Sequence, residues 1–204
     1  MSQIASTAFT GLVLAGGRST RMGRDKASLP IAGRTLLLRA VETIRRAGGT
    51  PVVLGPPRPE SESHGARFLD DPGEGPLQAL RVGMSGTPGP WFALACDLPL
   101  LKAEAIGALV AGLEDHDAVV PRALGRLQVL AAAYAPPALA AFERAIATGE
   151  CAMQAAVAGM RVRVVDPDAL REWGDETMFL NVNTPDDLRD AADRLAAGHP
   201  ERAA

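Results

Sequence analysis

Lysine is almost missing from this chain: of its 21 basic residues, all but Lys26 and Lys102 are arginine. A lysine on a loop therefore stands out, because its compact ammonium on a flexible stem follows a phosphate more readily than an arginine fork does. Cysteine is equally scarce. Cys96 and Cys151 form no metal-ligand spacing and no disulfide framework, which fits a reducing interior and a cytoplasmic setting. The three histidines, His64, His116 and His199, share no ligand spacing and read as solvent-facing loop residues. An excess of positive charge is missing too: the formal net charge of -3 excludes a broad, sequence-independent grip on nucleic acid, so any anion site must be local. Long apolar runs are also lacking. "GLVLAGG" is too short for a signal segment or a membrane span, and "WFALACDLPLL" is interrupted by Asp97, so neither membrane nor nucleic acid is an expected partner.

The 204 residues contain no repeat and no interdomain linker. That length suits one domain over residues 1–198, followed by a tail at 199–204, with "GPPRPESESHG" as a surface loop. Strand-like runs fall at Phe9–Ala15, Pro51–Leu54, Ala66–Leu69, Trp91–Cys96, Ala118–Pro121, Leu127–Tyr134 and Met160–Val165. Helical patterns lie between most of them, at Thr35–Ala47, Pro76–Met84, Lys102–Leu113, Pro136–Thr148, Cys151–Ala158 and Pro185–Ala197. This alternation predicts an α/β fold, a mainly parallel sheet covered by helices on both faces.

In such sheets ligands sit beyond the carboxyl ends of the strands. Four stretches reach that position. In "LVLAGGRSTRMGRDK", Gly16 and Gly17 allow close backbone approach, and Arg18, Arg21 and Lys26 place cations at staggered distances suited to a polyphosphate. The plainer alternative is a solvated loop. It is not a P-loop, since Gly23 is followed by Arg24 and Asp25 rather than Lys and Ser/Thr, and adjacent glycines at 16 and 17 do not make a dinucleotide fingerprint. In "LDDPGEGPLQAL", Asp70 and Asp71 precede a helix beginning at Pro76, either as a capped turn or facing a ligand. In "CDLPLL", Asp97 ends a buried strand, where it is a Mg²⁺ ligand beside a triphosphate or the N-cap of the next helix. In "FLNVNTPDDL", Asn181 and Asn183 share one side of an extended segment, to bind a polar ligand or to order a loop, and Thr184 reads as the N-cap.

Taken together, "LAGGRSTRMGRDK", "GPLQAL", "CDLPLL" and "FLNVNTPDDL" resemble, in this order, the molybdenum cofactor guanylyltransferases of the MobA family, and the likeness covers nearly the whole chain. The resemblance implies a three-layer α/β/α nucleotidyltransferase domain that transfers GMP from GTP to molybdopterin, releasing pyrophosphate and using Mg²⁺. It implies Leu14, Ala15, Gly16 and Gly17 as the guanine and ribose platform, with "LAGG" favouring GTP over CTP. It further implies Arg21 and Lys26 on the triphosphate, Asp71 on the guanosine, Asp97 as the metal carboxylate, and Asn181 and Asn183 toward the pterin. Apoenzymes that use the cofactor, and their chaperones, are the implied protein partners. The chain departs from the family pattern at Gly55, at Gln128-Val129-Leu130, and at Glu150–Met153, which lacks a basic residue. Competing readings are a cytidylyltransferase or sugar-phosphate nucleotidyltransferase, a non-catalytic carrier of nucleotide or cofactor, and a nucleotide sensor.

Overall fold

The computed structural model describes residues 8–16 and 25–197. In chain order these form β1 (Thr10–Leu14), the short hairpin of β2 (Pro30–Ile31) and β3 (Arg34–Thr35), α1 (Leu36–Arg46), β4 (Thr50–Leu54), α2 (Glu60–Ser63), β5 (Arg67–Leu69), α3 (Pro76–Ser85) and β6 (Trp91–Ala95). They continue with α4 (Ala103–Ala111), β7 (Ala118–Ala123), β8 (Arg126–Leu127), β9 (Ala131–Tyr134), α5 (Pro137–Ala147), α6 (Met153–Ala158), β10 (Val162–Val165), α7 (Pro167–Leu170) and α8 (Pro185–Ala197). Single 3₁₀ turns lie at Lys26–Ser28 and Glu176–Phe179.

The central sheet has eight strands in the order β10-β7-β9-β6-β1-β4-β5, with β8 paired to β7. β1 pairs in parallel with β4 on one side and β6 on the other, so the strand order reverses at β1 and a crevice opens beyond its carboxyl end. The antiparallel β9 is inserted between β6 and β7. Alternation of side chains sends Val13, Phe92, Leu94 and Ala133 to the face covered by Leu37, Val41 and Ile44 of α1 and Ile106 and Leu109 of α4. It sends Leu12, Trp91, Ala93 and Tyr134 to the face covered by α3, α5 and α6, where Leu80, Phe142 and Val157 pack. The result is the three-layer α/β/α arrangement.

α1 shows how local sequence fixes an element. Thr35 caps it by accepting the Leu38 N–H at 3.1 Å, its apolar stripe is buried, and Gly48 adopts a positive φ of 86° just past its end. Other regions differ from the sequence expectation. The run Leu127–Tyr134 is not one strand: β8 stops at Leu127, and residues 128–130 turn before β9 begins. The buried Gln128 side chain donates to the Ala123 carbonyl at 2.9 Å, and the Tyr134 hydroxyl donates to the Val129 carbonyl at 2.7 Å. These internal partners satisfy the turn without glycine or proline. The "GPPRPESESHG" segment is more than a surface loop, since it contains α2 and folds Arg58 inward to 8% side-chain exposure. His116 is half-buried rather than solvent-facing, and its Nδ1 has no partner among the described residues.

Candidate active site

Four strand ends converge. β1 leads into Ala15 and Gly16, β4 into Gly55, β5 into Asp70 and Asp71, and β6 into Cys96 and Asp97. Backbone bonds hold the row together: the Ala15 N–H donates to the Leu54 carbonyl at 3.0 Å, Cys96 to Leu14 at 3.2 Å, and Gly55 to Leu69 at 2.9 Å. Two glycines shape this row. A Cβ on Gly16 would lie 1.8 Å from an Asp71 carboxylate oxygen, so Asp71 packs directly against that backbone. Gly55 has φ 149°, and a Cβ there would come within 3.1 Å of the Gly16 nitrogen. The second carboxylate oxygen of Asp71 accepts the Gly73 N–H at 2.9 Å, which makes the capped turn read from the sequence. Pro76 opens α3, as its position predicts.

The cations meet this row from the other side. Lys26, in the first 3₁₀ turn, donates through Nζ to Asp97 Oδ2 at 2.6 Å and to Asn183 Oδ1 at 2.9 Å. Asn181 donates through Nδ2 to the other Asp97 oxygen at 3.1 Å, while its own Oδ1 accepts from Arg126 at 2.8 Å. Lys26, Asp97, Asn181, Asn183 and Arg126 are therefore one hydrogen-bonded cluster. Val182 between the two asparagines is buried, and its N–H donates to the Asp97 carbonyl at 2.9 Å. This fixes both amides toward the cluster. Asp97 caps no helix: the N-cap of α4 is Lys102, which makes no side-chain capping bond. Burial, and then the Asp97 charge, push the adjacent Cys96 thiol up to about 12, so it is an inert core group. Gly17 and Arg21 lie outside the described residues, as does the tail at 199–204.

Arg126 is a member the sequence reading did not single out. It follows the turn between β7 and β8, where Leu124 and Gly125 both have positive φ, 53° and 73°, and where the Leu124 N–H donates to Glu176 at 2.9 Å. The only signal in the sequence is a glycine followed by arginine between two apolar runs.

α8 is anchored beside the cluster by a reciprocal cap. Asp187 accepts the N–H groups of Asn183 and Thr184, each at 2.8 Å, and its own N–H donates to Thr184 Oγ1 at 3.1 Å. The Asn183 bond above all holds the Asp187 carboxyl below its ordinary 3.8. A depressed carboxyl contributes stability that is present above the unfolded value and lost as pH falls through the folded one. The gap in urea-unfolding stability between the natural chain and Asp187→Ala should accordingly be constant between about pH 5 and 7. It should narrow once the pH drops below 3.8.

A separate groove of about 880 Å³ runs between α1, the start of α4 and the end of α8, lined in part by Arg34, Arg39, Arg46, Lys102 and Arg194. None of the clustered residues lines it. Burial, then the neighbouring Arg34, lower the affinity of the Arg39 guanidinium for its proton.

Residues 11–165 match the MobA-like NTP transferase domain family. The chain is 31% identical to a molybdenum cofactor guanylyltransferase of Desulfosudis oleivorans, over 94% of this chain and 98% of that protein. It is also 31% identical to a probable molybdenum cofactor guanylyltransferase of Pelotomaculum thermopropionicum, over 88% of this chain and 89% of the relative. Among solved structures, the molybdopterin-guanine dinucleotide biosynthesis protein A of Archaeoglobus fulgidus superposes with a TM-score of 0.77 at 26% identity, covering 92% of this chain and 99% of that one. With the switch-point crevice and its glycine-lined strand end already in place, this breadth of likeness makes the chain a member of the MobA-like NTP transferase family.

Proposed function

We propose that this protein transfers GMP from GTP to molybdopterin, in a cytoplasmic setting, giving the guanine dinucleotide and pyrophosphate. The observation that carries the reading is the Lys26–Asp97–Asn181–Asn183 cluster at the carboxyl end of β6, the strand paired beside β1, whose own end sets Gly16 against Asp71. The guanosine rests on Leu14–Gly17 with Asp71 beside it, and Lys26 and Arg21 receive the triphosphate. The terminal phosphate of molybdopterin is ionised near neutrality, its second pKa being about 6, so its oxygen attacks without a general base. That oxygen forms a bond to the α-phosphorus as the bridge to the β-phosphate breaks, and pyrophosphate leaves with the electron pair. The protein's task is alignment and neutralisation of growing charge.

A divalent cation fits the donors present, all of them hard oxygens: the Asp97 carboxylate already holds one cation, the Lys26 ammonium, and the Asn183 amide oxygen shares it. We assign Mg²⁺, held by Asp97 with phosphate and water oxygens; it would add charge neutralisation at the triphosphate. We assign the acceptor to the side of Arg126 and the two asparagines; the bond from Arg126, in β8, to Asn181 supports this.

Pyrophosphate release measured with GTP, CTP and UTP, each against molybdopterin, tests the assignment. Release with GTP alone is the expected result, and release only with CTP or UTP overturns it. Arg126→Ala should raise the KM for molybdopterin by about 10-fold or more, the worth of a charge-assisted bond to phosphate, and leave the KM for GTP within about twofold. Equal changes in both constants would remove Arg126 from the acceptor side.

A further inference from the structure

Arg58 takes no part in the chemistry above, yet its enclosed guanidinium reaches both halves of the site. Nη1 donates to Asp25 and, at 2.8 Å, to Ser28 Oγ, and Nη2 donates to the Ala15 carbonyl at 3.4 Å. Its Nε is buried with no partner among the described residues. Asp25 in turn caps the 3₁₀ turn, accepting the Ala27 N–H at 3.2 Å through its other oxygen. Ser28 at the far end of that turn donates to Glu62 at 2.8 Å, and Glu62 lies 3.9 Å from Arg58. Lys26 is thus carried on a turn of three residues whose two ends are both fastened to one buried arginine.

Burying a guanidinium is costly, and a surface loop needs no such group. We propose that Arg58 is a positioning residue: it ties the Lys26 turn to the end of β1, and so sets where the Lys26 ammonium stands relative to Ala15, Gly16 and Asp97. This rests on the proposed guanylyl transfer for its kinetic consequence and on geometry alone for its structural one. A lysine at this position can pair with Asp25 but lacks the planar fork that spans Asp25, Ser28 and Ala15 together. Displacing a charged group by about 1 Å costs turnover on the order of 10²-fold.

The test is a double-mutant cycle with an independent structural arm. In the natural background, Arg58→Ala should lower kcat by about 10- to 100-fold and Arg58→Lys by less. In a Lys26→Ala background the same changes should alter kcat less than about twofold, because their effect is exerted through that ammonium. Equal losses in both backgrounds would overturn the proposal, as would a thermal collapse of Arg58→Lys that tracks its activity. Amide hydrogen exchange on the nucleotide-free protein supplies the second arm. Arg58→Ala should speed exchange at Ala27 by about tenfold or more and Arg58→Lys by less, and both should leave Leu38, capped separately by Thr35, unchanged. Unaltered exchange at Ala27 sinks the positioning role whatever the protein synthesises, while absence of GTP-dependent product from the natural chain counts against the proposed function alone.

Discussion

Lys26→Ala lowers kcat by about 10²- to 10³-fold, the loss that follows removal of one preorganised charge donor from a site of this kind. The accompanying stability loss is small. Lys26 and Asp97 are each 18% exposed, so when the ammonium is removed the stranded carboxylate keeps its Asn181 partner and gains access to water. Such a partly screened pair is worth about 1 kcal/mol, or roughly 2–4 °C in melting temperature for a chain of this size. Steady-state kinetics beside a thermal melt separate the two effects. If the melting temperature collapses in proportion to the activity, Lys26 serves the fold rather than the reaction.

Asp97→Asn has the second large effect, a fall in kcat of about 10³-fold, because it removes the carboxylate that would share a divalent ion with the substrate phosphates. The shape is nearly unchanged, and the one amide oxygen can still accept from Lys26 or from Asn181, which meet different oxygens of Asp97. The fold is expected to survive, with unaltered far-UV circular dichroism. Titrating Mg²⁺ gives the diagnostic readout: the concentration needed for half-maximal rate should rise in Asp97→Asn and stay near the natural value in Arg126→Ala. A variant with a lower rate and an unshifted Mg²⁺ requirement would remove Asp97 from the metal.

Much of this arrangement is legible in the sequence because the constraints are local or periodic. The buried runs at β1, β4 and β6 and the apolar stripe of α1 reveal the layers, and a carboxylate or glycine immediately after a parallel strand marks the crevice. Asn181 and Asn183 show themselves by alternation alone, since the buried Val182 between them forces both amides to one side. The residues that escape are those whose meaning comes from a distant partner. Arg58 and Arg126 are two arginines in a chain where arginine is the ordinary basic residue, and their partners Ala15 and Asn181 lie 43 and 55 positions away. The turn at residues 128–130 escapes for a related reason: its stop signals are a buried glutamine and a tyrosine hydroxyl rather than glycine or proline.

The contact between Lys26 and Asn183 joins residues 157 positions apart. A polypeptide emerging from the ribosome meets the parts of the proposed nucleotide platform early, in β1, β4 and β5. It acquires the last two side chains of the cluster only when the segment before α8 has been made and Val182, Leu188 and Ala191 have docked. On the proposed assignment, a chain truncated before Asn181 should still hold guanosine but no longer turn GTP over.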